Sequence, residues 1–182
     1  IQGASSGVGI LGMQIAKYMG ASLVIGTSTH ERRRSKLTEY GADMTLDSKS
    51  TDWADKVLEA TDGKGVDLIV DQVSGGVMND NLRATRILGR IVNVGRLGGF
   101  TGEIDFDLHA ARRIDYIGVT FRTRSEAEVE EIIGLMKADL WGAVAAGDLT
   151  IPIDKAFPLD QAAEAHQYMK DNQHFGKILL TA

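Results

Sequence analysis

A glycine-rich turn opens the chain and has the residue types needed to hold a phosphate group. Residues 1–9 read Ile-Gln-Gly-Ala-Ser-Ser-Gly-Val-Gly. Because glycine has no side chain, backbone N–H groups in such a turn can approach an anion closely. A helix predicted to begin near Val8 would direct its positive dipole end at the same place. The turn therefore predicts a dinucleotide pyrophosphate site made by Ala4, Ser5, Ser6, Gly7, Val8 and Gly9.

No side chains in the sequence have the spacing of a catalytic acid–base pair, a nucleophilic centre or a metal site. The chain has no cysteine, which removes a thiolate nucleophile and any cysteine-bound zinc from these residues. Its four histidines are scattered, at positions 30, 109, 166 and 174. We therefore expect no catalytic and no metal-binding residue. A dinucleotide carries its own hydride, so the protein is needed mainly to orient it.

Strands and helices alternate along the chain, which predicts an α/β fold with a Rossmann-type doubly wound parallel sheet. Short apolar runs predict strands at residues 23–25, 44–46, 66–70, 90–94, 116–121 and 177–180. Helical spacing predicts helices at 8–19, 32–40, 52–61, 78–86, 125–146 and 160–170. Only two residues precede the glycine-rich turn, and a strand takes about five or six. We therefore expect the chain to begin inside its first strand.

A change of character near residue 147 divides the chain. We expect residues 1–148 to form a dinucleotide-binding domain and residues 149–182, which hold both prolines, to form a C-terminal tail. Asp71 follows a predicted strand, and its carboxylate either lies near a bound adenosine or caps the helix that begins near Met78. Trp53 and Trp141 fall in predicted helices and are expected to pack in the core or in an interface.

The residues after the second strand indicate which dinucleotide would bind. An NAD site places Asp or Glu at the end of this strand, where the carboxylate accepts hydrogen bonds from the ribose. Here residues 26–30 read Gly-Thr-Ser-Thr-His, and Arg32 and Arg33 follow. Hydroxyl groups and arginines suit a 2′-phosphate, so we predict NADP (NADPH), with Ser28, Arg32 and Arg33 around the phosphate. The alternatives are NAD, or an arginine run that only forms a solvated helix face.

Two reductase families use a turn of this kind. The short-chain dehydrogenases need a tyrosine followed four residues later by a lysine, because the lysine stabilises the phenolate that handles the proton. The residues four positions after the four tyrosines are Ser22, Met44, Thr120 and Asn172. None of these is a lysine, so the missing pair rules against the short-chain family. The turn then fits the relaxed glycine pattern of the medium-chain reductases.

Further motifs follow the turn in a specific order and spacing. They include Tyr-Gly-Ala-Asp at 40–43, Gly-Lys-Gly-Val-Asp at 63–67, Gly-Arg-Ile-Val at 89–92 and Phe-Gly-Lys-Ile at 175–178. On these motifs the whole chain resembles the zinc-independent quinone oxidoreductases of the medium-chain dehydrogenase/reductase superfamily. Residues 122–125, Arg-Thr-Arg-Ser, look most like the branch of the p53-inducible type.

The resemblance implies a function and further site residues. It implies transfer of a hydride from NADPH to a quinone or an α,β-unsaturated carbonyl. The small-molecule substrate would be held mostly by a GroES-like domain that these residues lack and that the tail would complete. Arg33 and Ser48 correspond to phosphate-binding positions, and the nicotinamide would lie among Val8, Val94, Gly95 and Phe121. The resemblance also implies a homodimer joined through the strand at 116–121.

Composition limits the remaining classes of function. The net charge of −5 disfavours general nucleic-acid binding, and no apolar run approaches the ~18 residues of a membrane span. We predict a cytoplasmic protein without nucleic-acid or membrane partners. By themselves, these residues are expected to bind cofactor weakly and turn over little. Two other functions stay open: an enoyl reductase domain of a larger synthase, and a catalytically silent dinucleotide-sensing module.

Overall fold

Residues 1–4 lie between two groups of strands and join them into one parallel sheet. The computed structural model describes residues 1–182. On one side of residues 1–4, the N–H of Ala4 donates to the carbonyl of Thr27 at 2.8 Å. On the other side, the N–H of Gln2 donates to the carbonyl of Val70 at 2.9 Å. The first four residues are therefore hydrogen-bonded as a central strand.

The strands follow the order of a doubly wound sheet. They are β1 (Ile25–Thr27), β2 (Met44–Leu46), β3 (Val66–Asp71), β4 (Thr85–Asn93) and β5 (Asp115–Gly118). β1 pairs with β2, and β3, β4 and β5 pair in that order, all in parallel. With residues 1–4 counted as the first strand, the order is 3-2-1-4-5-6, which is that of a Rossmann domain. The predicted fold class is confirmed.

Seven α-helices connect these strands and lead into a second, smaller sheet. They are α1 (Gly7–Tyr18), α2 (Glu31–Arg34), α3 (Trp53–Ala60), α4 (Met78–Ala84), α5 (Phe106–Arg112), α6 (Glu126–Ala146) and α7 (Ala162–Lys170). Short 3₁₀ turns lie at Leu37–Tyr40, Gly75–Val77 and Leu159–Gln161. The last strands, β6 (Ile153–Pro158) and β7 (Lys177–Thr181), form a separate parallel pair. None of the helices combines the length and apolar composition needed to cross a membrane.

Several predicted boundaries were wrong. The helix expected at 32–40 is split into α2 and a 3₁₀ turn, and the hydroxyl of Ser35 bonds back to the carbonyl of Arg32 at 3.1 Å. Such back-bonding competes with helix continuation. The strand expected at 23–25 lies at Ile25–Thr27, where it has neighbours on both sides. The strand expected at 116–121 ends at Gly118.

Two further differences concern helices. The helix expected to reach residue 86 ends at Ala84, because Thr85 is already extended and begins β4. Helix α5 was not predicted. It begins where the carboxylate of Asp105 accepts a hydrogen bond from the N–H of Leu108 at 2.9 Å, which is an N-cap. The predicted capping box of α6 is present, with Ser125 and Glu128 bonded reciprocally.

Two apolar clusters make up the core. The larger one packs α3 and α4 against the sheet and includes Trp53, Leu82 and Ile91. The smaller one lies beneath α1 and takes in Phe175 from the C-terminal segment, whose ring lies 5.6 Å from that of Tyr40. Trp53 is 3% exposed, as predicted, whereas Trp141 is 56% exposed and packs in no core. The C-terminal segment therefore contributes to the core cluster beneath α1.

A cavity of about 640 Å³ lies between β1 and the beginning of β3, at the edge of the sheet away from the glycine-rich turn. Apolar residues of β1 and β3 line it, among them Ile25, Leu68 and Ile69. Leu68, in the middle of β3, is consequently 49% exposed. None of the residues predicted to bind a cofactor lines this cavity.

Candidate functional site

The glycine-rich turn has the geometry of a phosphate cradle. Gly3 has a φ of +70°, which an L side chain rarely adopts, and the chain then turns into α1. Ser6 caps that helix, since its hydroxyl accepts from the N–H of Gly9 at 3.0 Å and donates to Gln72 Oε1 at 2.8 Å. The N–H groups of Gly7 and Val8 have no acceptor within the protein. Two free donors therefore lie at the positive end of α1.

Gly9 is required where the turn meets the helix. A Cβ at this position would lie 2.5 Å from Cα of Ala4, which is itself fully buried. Behind the turn, the hydroxyls of Ser5 and Ser28 hydrogen-bond to each other at 3.1 Å, and both residues are buried. The structure thus brings Ser28 against the turn, where its hydroxyl joins the end of β1 to the cradle.

A basic pocket of about 270 Å³ opens beside the end of β1. Its lining combines cations from two parts of the chain with a polar wall from the C-terminal segment: Thr29, His30, Arg32, Arg33, Lys36, Lys49, Asp154, Tyr168, Asp171, Asn172, Gln173 and Phe175. Both of its carboxylates already accept hydrogen bonds. Asp171 accepts from Nε2 of Gln167 at 2.7 Å, and Tyr168 donates its hydroxyl proton to Asp154 at 2.7 Å. That bond raises the pKa of Tyr168. Lysine and arginine outnumber acids here by four to two.

Arg33 is the most constrained cation of the pocket. Arg33 is 8% exposed. Its Nη1 donates a hydrogen bond to Asn172 Oδ1 at 2.6 Å, and its Nε has no hydrogen-bond partner. Burial lowers the pKa of Arg33. A nearby histidine, His174, has a buried Nδ1 without a partner, and its pKa is lowered first by burial and then by the charge of Arg33. A buried guanidinium with an unpartnered N–H, such as that of Arg33, is stabilised by an anion, whereas the lowered pKa of His174 favours its neutral form.

The other predicted phosphate residues have different environments. Arg32 is exposed at the rim of the basic pocket, whereas Arg34 pairs with Asp47 at 3.2 Å and has a structural role. Ser48 is half-buried and does not line the pocket; its neighbour Lys49 does. Lys36 and the wall from the C-terminal segment were not predicted. The spacing of four residues between Arg32 and Lys36 could have indicated that both face the same side. No feature of the sequence indicated that the C-terminal segment lines the pocket.

On the other side of the turn, two strand ends are held together by backbone bonds. The N–H groups of Val94 and Gly95 donate to the carbonyl of Asp71 at 2.7 and 3.1 Å. A Cβ on Gly95 would lie 2.8 Å from the carbonyl oxygen of Gln72. Val8, at the start of α1, is 52% exposed and free to contact a ligand. Phe121 lies beyond the end of β5, is 65% exposed and lines neither the basic pocket nor the large cavity.

Asp71 is buried in the turn that follows β3 and does not cap α4, which has no side-chain cap. Its carboxylate is fully buried and accepts from the N–H groups of Val73 and Ser74, at 2.8 and 3.0 Å, and from the amide of Asn81. These bonds fix the turn that leads from β3 to α4. The expected cap on the helix that begins at Met78 is therefore wrong, and a place for Asp71 near a bound adenosine stays a prediction.

The comparison with protein families agrees with this geometry. Residues 7–138 match the model of the family described as zinc-binding dehydrogenase, which is well over half of the chain. The chain belongs to this family. Zinc does not fit the residues present, because no group of three or more His, Cys, Asp or Glu side chains is placed to hold a metal ion and the chain has no cysteine.

Curated relatives confirm the resemblance to quinone oxidoreductases. The chain is 28% identical over 181 residues to the quinone oxidoreductase of Rattus norvegicus, covering 99% of this chain and 53% of that protein. It is 30% identical over 184 residues to a 2-haloacrylate reductase of Burkholderia sp, covering 99% and 54%. It is 29% identical over 181 residues to a mycocerosic acid synthase-like polyketide synthase of Mycolicibacterium smegmatis, covering 99% and 8%. The chain thus spans about half of the two reductases and a small part of the synthase.

Solved structures share the fold over the whole chain. An NAD-dependent alcohol dehydrogenase superposes with a TM-score of 0.84 at 30% identity, covering 100% of this chain and 50% of that one. A mycobacterial protein solved in complex with NADPH superposes with a TM-score of 0.83 at 24% identity, covering 100% and 55%. The chain therefore has the cofactor-binding fold of medium-chain oxidoreductases.

Proposed function

We propose that this chain is the NADPH-binding part of an oxidoreductase that transfers hydride from NADPH to a quinone or an α,β-unsaturated carbonyl. The observation that carries the proposal is the basic pocket beside the end of β1, with the buried Arg33 on one wall. No carboxylate follows β1 at the position where an NAD site has one. A 2′-phosphate would supply an acceptor for the unpartnered Nε of Arg33.

Each part of the site has a separate task in this proposal. The free N–H groups of Gly7 and Val8 bind the pyrophosphate, and Arg33 with the exposed Arg32 binds the 2′-phosphate. The side chain of Val8 packs on the nicotinamide, and the strand ends at Val94 and Gly95 receive its amide end. When bound, NADPH supplies the hydride, and the protein holds the nicotinamide in place for transfer.

The electron acceptor is proposed from the relatives. A quinone oxidoreductase and a 2-haloacrylate reductase are each matched over almost the whole of this chain. A second candidate is the enoyl reductase domain of a larger synthase. It is favoured by the polyketide synthase match, which covers 99% of this chain but 8% of that protein. Both candidates reduce a polarised double bond with the same cofactor and the same binding surface.

We further propose that residues 149–182 complete a second domain and that the protein is a cytoplasmic homodimer. The C-terminal segment leaves several apolar side chains open to solvent, including Ile153, Leu159, Met169 and Leu180. Exposed apolar side chains in this number are typical of a surface that another unit covers. The edge strand β5 supports the dimer, because all four of its residues are exposed and it pairs with β4 alone.

Calorimetric titration of the chain with NADPH and with NADH tests the cofactor. We expect NADPH to bind at least about tenfold more tightly, because a charge-assisted contact to the 2′-phosphate contributes roughly 1.5–3 kcal/mol. Equal affinities would contradict the proposed cofactor. Oxidation of NADPH in the presence of a naphthoquinone, or of an enoyl thioester, then separates the two acceptors. Rapid turnover by the chain alone would show that no further domain is needed.

A further inference from the structure

The side chain of Lys177 lies across the beginning of α1. If Gly7 carried a Cβ, that atom would lie 2.8 Å from Cε of Lys177 and 3.3 Å from its Nζ. Gly7 is buried largely because the lysine methylenes cover it, while the lysine itself is exposed. The ammonium group of a residue from the C-terminal segment is therefore placed beside the glycine-rich turn.

Two backbone contacts hold the chain at Lys177, one within the C-terminal segment and one to the glycine-rich turn. Its N–H donates to the carbonyl of Pro152 at 2.9 Å, at the start of the β6–β7 pair. The preceding residue, Gly176, forms an isolated parallel bridge with Ser6, the N-cap of α1. A Cβ on Gly176 would lie close to the carbonyl of Pro152, so this position is closed to a side chain. These contacts hold the backbone of Lys177 next to the N-cap of α1.

Nothing within the protein neutralises this ammonium group. Lys177 takes part in none of the eight ion pairs of the structure, whereas Lys17 and Lys56 each have an aspartate partner. The first turn of α1 contains no acidic residue. The free N–H groups of Gly7 and Val8 lie at the same helix end. One cation and two unpaired donors therefore meet at one place, which is the arrangement that binds a phosphate.

We propose that Lys177 is a phosphate-binding residue of the dinucleotide site, contributed by the C-terminal segment and directed at the pyrophosphate. This inference rests on the proposed function. It gives Lys177 and Arg33 different tasks, because the pyrophosphate is common to NADPH and NADH while the 2′-phosphate belongs to NADPH alone. It also means that the C-terminal segment must be docked on α1 for the cofactor to bind with full affinity.

The test is calorimetric titration of the parent chain, Lys177→Gln and Lys177→Arg with NADPH, NADH and ADP-ribose. We expect Lys177→Gln to lose about tenfold in affinity for all three ligands, because each contains the pyrophosphate. Lys177→Arg keeps the charge and should stay within about threefold of the parent. The matched control is Lys170→Gln, an exposed lysine in the last turn of α7, which should bind like the parent. Thermal unfolding of each variant shows whether the fold is retained.

Each outcome decides between the two proposals. If the parent binds none of the three ligands, the proposed function fails and this inference fails with it. If the parent binds them and Lys177→Gln binds them equally well, the proposed function stands and the role of Lys177 is overturned. A loss confined to NADPH would assign Lys177 to the 2′-phosphate instead, and would also overturn the inference. A uniform loss restored by arginine supports it.

Discussion

The Nη1 atom of Arg33 donates a hydrogen bond to Oδ1 of Asn172 at 2.6 Å. Arg33 belongs to α2, beside the end of β1, and Asn172 lies in the turn between α7 and β7. The two residues are 139 positions apart in the chain. The cation predicted to recognise a 2′-phosphate is therefore held in place by the C-terminal segment.

Replacing Arg33 by glutamine should change cofactor selectivity. We expect Arg33→Gln to bind NADPH about 10- to 100-fold more weakly and NADH nearly as before, because only NADPH has the 2′-phosphate. Titration calorimetry with both cofactors measures this. Asn172→Gly is the matched control, because it removes the hydrogen-bond acceptor of Arg33 and keeps the arginine. Glycine also tolerates the φ of +53° at this position. An equal loss of selectivity in this control would mean that the hydrogen bond, and not the charge, selects the cofactor.

Alanine at Gly9 should disrupt the glycine-rich turn. Its Cβ would lie 2.5 Å from Cα of Ala4, and the buried backbone there has no room to move. We expect Gly9→Ala to lower the free energy of unfolding by about 2 kcal/mol and to lose dinucleotide binding. Gly12→Ala, on the same helix, would meet only Ile1 Cδ1 at 3.7 Å and should gain about 0.5–1 kcal/mol. Urea unfolding of both variants checks this contrast; equal stability would contradict it.

Glycine at Leu88 should stabilise the protein. Leu88 has a φ of +60° within β4, where the pairing with β3 shifts register, and its side chain is 63% exposed. A left-handed conformation destabilises a non-glycine residue by roughly 1–2 kcal/mol. We expect Leu88→Gly to raise the midpoint of urea unfolding by the equivalent of about 1 kcal/mol, with an unchanged slope. Leu88→Ala keeps the strained φ and should not. A decrease in stability for the glycine variant would refute the argument.

His174 should make stability depend on pH. Burial and the charge of Arg33 lower its pKa below the ordinary 6.5; Asp154 opposes this and Lys177 adds to it. As the pH falls through about 6.5, His174 is therefore protonated in the unfolded chain before it is protonated in the folded one. Its contribution to the free energy of unfolding is fully present above that pH and is lost as the pH is lowered through it. His174→Gln should make the decline between pH 7.5 and 5 shallower, as followed by thermal unfolding. An unchanged decline would assign it to other groups.

The edge strand β5 should join two copies of the chain. Tyr116 and Ile117 are 45% and 39% exposed there, and the strand has a free edge. We expect the parent to sediment as a dimer at micromolar concentration and Ile117→Lys as a monomer, because a lysine on an edge strand opposes pairing. Sedimentation of the parent as a monomer would count against the dimer.

Local patterns predicted most of the elements correctly. The strand Met44–Leu46 and the capping box at Ser125 are where the sequence put them, because apolar runs and caps act over a few residues. The helix expected at 32–40 was wrong, since Ser35 bonds to its own backbone in a way that periodicity does not record. Ser48 was inferred from resemblance, and the structure gives the pocket position to Lys49.

The amino-acid sequence by itself determined the glycine-rich turn, since the spacing of Gly3, Gly7 and Gly9 dictates a close approach of backbone groups within one turn. It also determined that residues 28–30 contain no acid and that the first acid after them is Glu31. Only the tertiary structure decided that Asp71 accepts hydrogen bonds within the turn after β3, that Arg33 is bound by Asn172, and that Lys177 lies across Gly7. The two contacts with the C-terminal segment join residues far apart in the chain. These residues meet only because the segment packs against α1 and α2. Local sequence patterns act over a few residues and do not predict such a long-range contact.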